Sequence, residues 1–277
     1  MKLFISALVS IVLTQVCAAQ YYYKDLLLTR QTTAQWKSYK DHKVRSVTLN
    51  SSEGDGQPSE GFSVDQQVGN NYAQITTHTQ SPGAPETWLF ASYFPDGWPA
   101  KTLDTSDTYH STSEYQYDDA RHITSITNTS VETDNQLKVT EQHLWRYDAN
   151  GRPLSMLKIK NNNDTTFVTF TADDKGNIVE EHASRNQTEL PTVYYYYDSA
   201  NRLTDIVRYN QKAQRLLPDY IFEYKEDGRL QSSLVVQEGG LDYQKWIYEY
   251  NDQGLKSTES CFNKKRELLG RVQYSYK

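Results

Sequence analysis

Cysteine is nearly absent. The chain carries only Cys17 and Cys261, and Cys17 lies in an N-terminal leader, so no disulfide staples the fold and stability must come from burial. Cys261, in Glu259-Ser260-Cys261-Phe262, has none of the signatures of a nucleophile and reads as a packed thiol. The six histidines, His42, His78, His110, His122, His143 and His182, show no pair at metal-ligand spacing, so no metal is expected. Phosphate loops, dinucleotide glycines and the G-x-S-x-G elbow are missing as well. No cofactor and no catalytic residue is therefore assigned, and the chain reads as a non-enzyme. There is no basic stripe: with a formal net charge of −6 and a pI near 5.6, nucleic acid and anionic lipid are poor partners.

Long apolar runs are confined to the first residues. Lys2 precedes an apolar stretch from Leu3 to Leu13, followed by Cys17-Ala18-Ala19-Gln20. This is the pattern of a secretory signal peptide over residues 1–19, cleaved between Ala19 and Gln20. The stretch is shorter than the roughly 20 residues that a bilayer span needs. Lipid attachment at Cys17 is the rival outcome, disfavoured because Val16 stands where a lipobox has a small residue. Export to a periplasm, an outer surface or the medium follows, with no transmembrane segment after cleavage.

Aromatic residues, by contrast, are plentiful: 22 Tyr, 8 Phe and 5 Trp in a chain of mean hydropathy −0.78. They are ordered in repeats. Tyr115-Gln116-Tyr117-Asp118-Asp119-Ala120-Arg121 is followed by Trp145-Arg146-Tyr147-Asp148-Ala149-Asn150-Gly151-Arg152, by Tyr195-Tyr196-Tyr197-Asp198-Ser199-Ala200-Asn201-Arg202, by Phe222-Glu223-Tyr224-Lys225-Glu226-Asp227-Gly228-Arg229 and by Tyr248-Glu249-Tyr250-Asn251-Asp252-Gln253-Gly254. A degenerate copy around Phe170, Asp173 and Gly176 fills the gap. The second ring position falls at 117, 147, 172, 197, 224, 250 and 276, a period near 26 residues.

Each motif residue has a mechanical reason. Rings at alternate positions, such as Val193, Tyr195 and Tyr197 or Trp246, Tyr248 and Tyr250, make a strand with one buried aromatic face. An acid or amide after the second ring closes a type I turn through its side chain, as at Asp118, Asp148, Asp173 and Asp198. Gly151, Gly176, Gly228 and Gly254 then supply left-handed backbone, with Asn201 as substitute. Arg121 departs from this and predicts a strained or differently shaped turn. The expected fold is all-β: an antiparallel meander of hairpin repeats forming an extended, twisted or curled sheet.

The repeat resembles the YD repeat of the Rhs family, bacterial and teneurin-type proteins whose tandem repeats build long β-sheets. The likeness spans about Tyr115 to Lys277 and implies an extracytoplasmic β-repeat surface. In large members the sheet spirals into a shell around a toxin. This chain is expected to be too short to close such a shell, and it shows neither the autocleavage segment nor a toxin domain, so encapsulation does not carry over.

Residues 20–113 read as an N-terminal capping region with diverged copies, and 114–277 as the repeat array. Val44–Leu49 and Tyr72–Thr77 look like strands, and Ser51–Gly61 like a loop. Thr29 could cap a short helix through Gln35, Trp36 and Tyr39 that shields the first strand edge. Motif rings read as core. Tyr194 and Tyr196, on the opposite face, are the best exposed contact rings, and Trp88 and Trp98 come second; a glycan or an envelope protein is the expected partner. The function read from all this is a binding or scaffold module at the cell envelope. Alternatives are a glycan hydrolase using carboxylates such as Asp118-Asp119, Asp173-Asp174 or Glu180-Glu181, and an orphan fragment of an Rhs-type delivery system.

Overall fold

The computed structural model describes residues 21–210, 213–236 and 242–277. The leader therefore lies outside the described residues. One helix, α1 (Lys24–Asp41), precedes the strands. These are β1 (Ser46–Glu53), β2 (Ser63–Val68), β3 (Gln74–Gln80), β4 (Thr87–Tyr93), β5 (Pro99–Thr105), β6 (Tyr109–Tyr117), β7 (Ile123–Glu132), β8 (Lys138–Tyr147), β9 (Pro153–Lys160) and β10 (Asp164–Ala172). The series continues with β11 (Ile178–Arg185), β12 (Thr188–Glu189), β13 (Val193–Tyr197), β14 (Leu203–Asn210), β15 (Arg215–Tyr224), β16 (Leu230–Val236), β17 (Tyr243–Tyr250), β18 (Lys256–Asn263) and β19 (Leu268–Tyr276).

Every strand pairs antiparallel with its sequence neighbours, as expected for a meander, but the sheet is neither extended nor merely curled. β1 zips onto β19 over Val47↔Tyr276 to Glu53↔Gly270, and the ring closes. β12 is a two-residue stub on β11, which also pairs directly with β13, so eighteen of the nineteen strands form the wall of a barrel. The expectation that the chain is too short to enclose a space is thereby corrected. Closure needs enough staves and a first strand whose free edge matches the last, and β1 and β19 supply both edges at matching length. A closed barrel leaves no unpaired edge.

That removes the role expected for the helix. It begins at Lys24 rather than near Thr29, and it covers no edge. Thr29 sits inside it, with its hydroxyl donating to the Asp25 carbonyl at 2.7 Å. Leu26, Thr29, Trp36 and Tyr39 form the buried stripe, at the spacing of one helical face, while Arg30, Lys37 and Lys40 stay in water. The stripe is gripped at its two ends by different stretches of wall. Tyr22, Tyr23 and Leu26 join a core built from inward residues of β7 to β14, and Trp36 and Tyr39 join one built from β1, β2, β3 and β19. The helix thus crosses the lumen and plugs it.

Two strand boundaries shift from the sequence reading. Tyr72 lies in a single 3-10 turn (Asn70–Tyr72) before β3, and Ser51 to Glu53 extend β1 instead of opening the loop, because β19 offers them partners.

At the repeat turns, Gly151, Gly176, Gly228 and Gly254 have φ between 75° and 87°, and Asn201 has φ 61°. Arg121 adopts φ 66° in a turn with the same backbone bonds as the Asp148 turn, so the turn is not differently shaped. Left-handed backbone costs a side-chain-bearing residue about 1–2 kcal/mol. Here Arg121 is held by Asp96 at 2.6 Å and by the Phe94 ring at 5.0 Å. The register shifts by one residue just before the second ring of each repeat, at Gln116/Tyr117, Arg146/Tyr147, Tyr196/Tyr197, Glu223/Tyr224 and Glu249/Tyr250. These bulges flip the phase so that both rings of the motif face inward.

Candidate functional site

The bulge explains why the second ring is tyrosine. The first position accepts Tyr, Trp or Phe, whereas the second is Tyr at 117, 147, 197, 224, 250 and 276. Its hydroxyl reaches the carbonyl that opens the strand after an earlier repeat turn. Tyr147 donates to Ile123, Tyr197 to Ile178, Tyr224 to Leu203, Tyr250 to Leu230 and Tyr276 to Lys256, all at 2.7–2.9 Å. Tyr117 makes the same bond to Pro99 at 2.8 Å. Burial raises the acidity constants of these phenols, so they stay protonated donors. The residue after the turn glycine stacks on the same ring one repeat later. Arg202 lies over Tyr224 and Arg229 over Tyr250, each at 4.8 Å, and His122 stacks on Tyr147 at 4.8 Å. Nothing in the sequence reading identified this bond, although the strict Tyr at one of two ring positions was its signal.

The turn acids act as expected of their type. The Oδ1 of Asp148 accepts the Asn150 and Arg152 N–H groups, and Asp173 and Asp198 do the same for Lys175 and Asn177 and for Ala200 and Arg202. Asp118 accepts from His122 N–H at 2.8 Å.

A second group of residues pins the helix. Glu181, 1% exposed on the inner face of β11, accepts the N–H groups of Tyr22 and Tyr23, both at 2.9 Å, and the hydroxyl of Tyr195 at 2.8 Å. Burial pushes its carboxyl above the usual range, against the pull of those three donors. A carboxylate at the start of a helix also meets the positive end of its dipole. One turn further, Asp25 lies 2.6 Å from His143 Nδ1 and 3.3 Å from the Trp145 indole nitrogen. The other imidazole nitrogen of His143 faces Glu141 at 3.0 Å, and Glu141 meets Lys158 at 2.8 Å. Burial alone would lower His143, but Asp25 and Glu141 outweigh it and push the imidazole up to about 9. Burial likewise opposes ionisation of Glu141, yet His143 and Lys158 hold it at about 2. The sequence did carry one sign of this arrangement: Glu181 occupies a position on β11 that period two reserves for apolar side chains.

These contacts bear on the carboxylate pairs. Glu180 and Glu181 lie on opposite sides of the wall, Glu180 beside His182 at 3.0 Å outside and Glu181 inside. Asp118 and Asp173 are turn caps. None of the three sequence pairs converges on a cleft. Among the described residues, no group of three or more His, Cys, Asp or Glu could hold a metal ion. No helix among them is long and apolar enough to cross a membrane. Cys261 is buried, which pushes its thiol up to about 12.

The four contact rings are scattered. Tyr196 is 47% exposed on the outer face of β13, and Tyr194 beside it is half-buried across from Glu180. Trp88, 41% exposed on β4, stacks on His78 at 4.1 Å and on Phe90 at 6.3 Å. Trp98 is half-buried in the turn before β5, against Tyr117 at 5.5 Å. β4 and β13 are far apart round the ring, so Trp88 and Tyr196 belong to different surfaces.

No family model matches the chain, and no curated protein does. Among solved structures it is similar to a porin-like protein from Bacteroides uniformis (10% identity, 84% of this chain and 98% of that one, TM-score 0.41) and to a porin-like protein from Bacteroides vulgatus (13% identity, 84% and 98%, TM-score 0.32). It is also similar to part of the Photorhabdus luminescens Tc holotoxin pore, at 11% identity and TM-score 0.35, covering 78% of this chain and 15% of that one.

Proposed function

We propose that this protein is an extracytoplasmic, non-enzymatic barrel serving as a binding or scaffold module at the cell envelope, with Tyr194 and Tyr196 as contact rings for a glycan or an envelope protein. Its repeats are taken as YD-type, and its leader as a cleaved signal peptide. The observation that carries the reading is the polarity of the wall. Apolar and aromatic side chains face the plugged interior, while cross-strand ion pairs stand on the outside, as with Lys101 and Glu114 at 2.7 Å and Lys245 and Glu223 at 2.9 Å. A lipid-facing barrel needs the reverse, an outer apolar band about 25 Å tall. The buried carboxylates are engaged in holding α1, which supports a structural rather than a hydrolytic role for them.

Fractionation of cells producing the full chain, followed by glycan-array and envelope pull-down assays, tests this. The expected result is an exported protein released from membranes by alkaline carbonate, with binding weakened at least about tenfold by Tyr194→Ala with Tyr196→Ala, as loss of an aromatic hot spot predicts. Carbonate-resistant membrane insertion, or unaltered binding in the double variant, would overturn it.

A further inference from the structure

We infer that the concavity between the ends of β6, β7 and β8 is a binding site for a small aliphatic ammonium ligand, a diamine or polyamine. It lies at the opposite end of these strands from the repeat turns, where the Thr133–Leu137 connection joins β7 to β8. Its volume is about 480 Å³, within the roughly 300–1,000 Å³ of small-molecule pockets. It shares no residue with the Tyr194 and Tyr196 surface or with the groups that hold α1, so it is independent of the function proposed above.

The lining combines three chemistries. Val131, Val139 and Leu137 supply an aliphatic surface, and Leu137 is 56% exposed, an apolar side chain left in water at the lip. Tyr109 supplies a ring that cannot turn away freely, because its hydroxyl donates to Asp104 at 3.2 Å. Glu132 and Asp134 supply negative charge. Glu132 is bonded through one oxygen to the Asn135 amide at 2.6 Å, and the Asp134 carboxylate has neither a hydrogen bond nor an ion pair among the described residues. No Lys, Arg or His contributes to the lining.

Carboxylates on a rim are ordinarily a solvated edge. Here they stand over a concavity with an aromatic and aliphatic wall and no counter-charge. An anionic ligand would be repelled, and a neutral polyol would leave both charges without a partner of opposite sign. An ammonium on a methylene chain satisfies every part: the carboxylates pair with the cation, the Tyr109 ring can face it, and the methylenes lie on Val131, Leu137 and Val139.

Titration calorimetry of the full chain at low ionic strength, with spermidine and 1,5-diaminopentane as probes and 1-pentanol and calcium as comparators, tests the assignment. Saturable amine binding is expected, with little binding of pentanol. Glu132→Gln and Asp134→Asn should each weaken it by about fivefold, the size of an exposed ion pair, and Leu137→Ser should weaken it too. Asp252→Asn, an exposed acid elsewhere, should leave it unchanged. These positions are exposed and distant from both cores, and equal melting temperatures check the fold; if one carboxylate variant misfolds, the other and Leu137→Ser still decide. The assignment fails if no saturable amine binding occurs, if Asp252→Asn weakens it as much as Asp134→Asn, or if calcium binds more tightly than the amines and is lost in the same variants.

Discussion

Removing the Glu181 carboxylate should free α1 before it unfolds the wall. Three donors converge on this group, the Tyr22 and Tyr23 amides and the Tyr195 hydroxyl, in a site 1% exposed. Glu181→Gln keeps one acceptor oxygen but turns an amide N–H toward a donor, a loss of roughly 2 kcal/mol. Glu181→Leu leaves two backbone N–H groups and a phenol buried without partners, at about 1–3 kcal/mol each, so roughly 3–6 kcal/mol after partial relaxation. The eighteen-strand ring does not pass through this group, since the pairing of β10, β11 and β13 is made by backbone. Hydrogen exchange read by mass spectrometry should therefore show the amides of α1 losing protection in Glu181→Leu by a factor of a hundred or more, as about 3 kcal/mol implies. Protection in β14 to β19 should be retained. The reasoning is refuted if helix and wall lose protection together, or if the helix is unchanged.

His143, with its pKa raised to about 9 from an ordinary 6.5, stabilises the fold fully below about pH 6.5 and loses that contribution as pH rises through about 9. Melting temperature should fall across that interval in the native protein, and the fall should shrink in His143→Gln. Glu141, lowered to about 2, works in the opposite direction, and its contribution should vanish as pH drops from about 4.5 through 2; acid titration of Glu141→Gln would show a smaller loss. Tyr224→Phe and Tyr250→Phe each remove one hydroxyl-to-carbonyl bond while keeping the ring. Urea unfolding should report about 1 kcal/mol lost for each, and no loss would deny the hydroxyl its role. Gly228→Ala meets open space at φ 86° and should cost only about 1–2 kcal/mol of backbone strain. At Gly97, φ 91°, a methyl would overlap the Trp36 indole, so Gly97→Ala should cost several kcal/mol more in the same urea assay.

The local parts of this molecule were legible because they are short-range. Alternating rings define a strand within a handful of residues, and an acid three residues before Gly151, Gly176 or Asn201 defines the turn that follows. The period near 26 joins these into antiparallel neighbours, and Tyr196 could be placed on the outer face by counting. The exchange of a turn glycine for Arg121 looked more disruptive than it is, because the compensation comes from Asp96 and Phe94 in the preceding turn.

What the sequence determined by itself was the stave: its strands, its turn and its aromatic inner face. Only the tertiary structure decided that eighteen such staves meet end to end, since the pairing of β1 with β19 joins residues more than two hundred positions apart and has no local signature. The same distance hid the helix contacts. Glu181 meets Tyr22 across 159 residues and His143 meets Asp25 across 118, and a polar side chain on an inward face acquires its reason only when the lumen it points into contains something to hold.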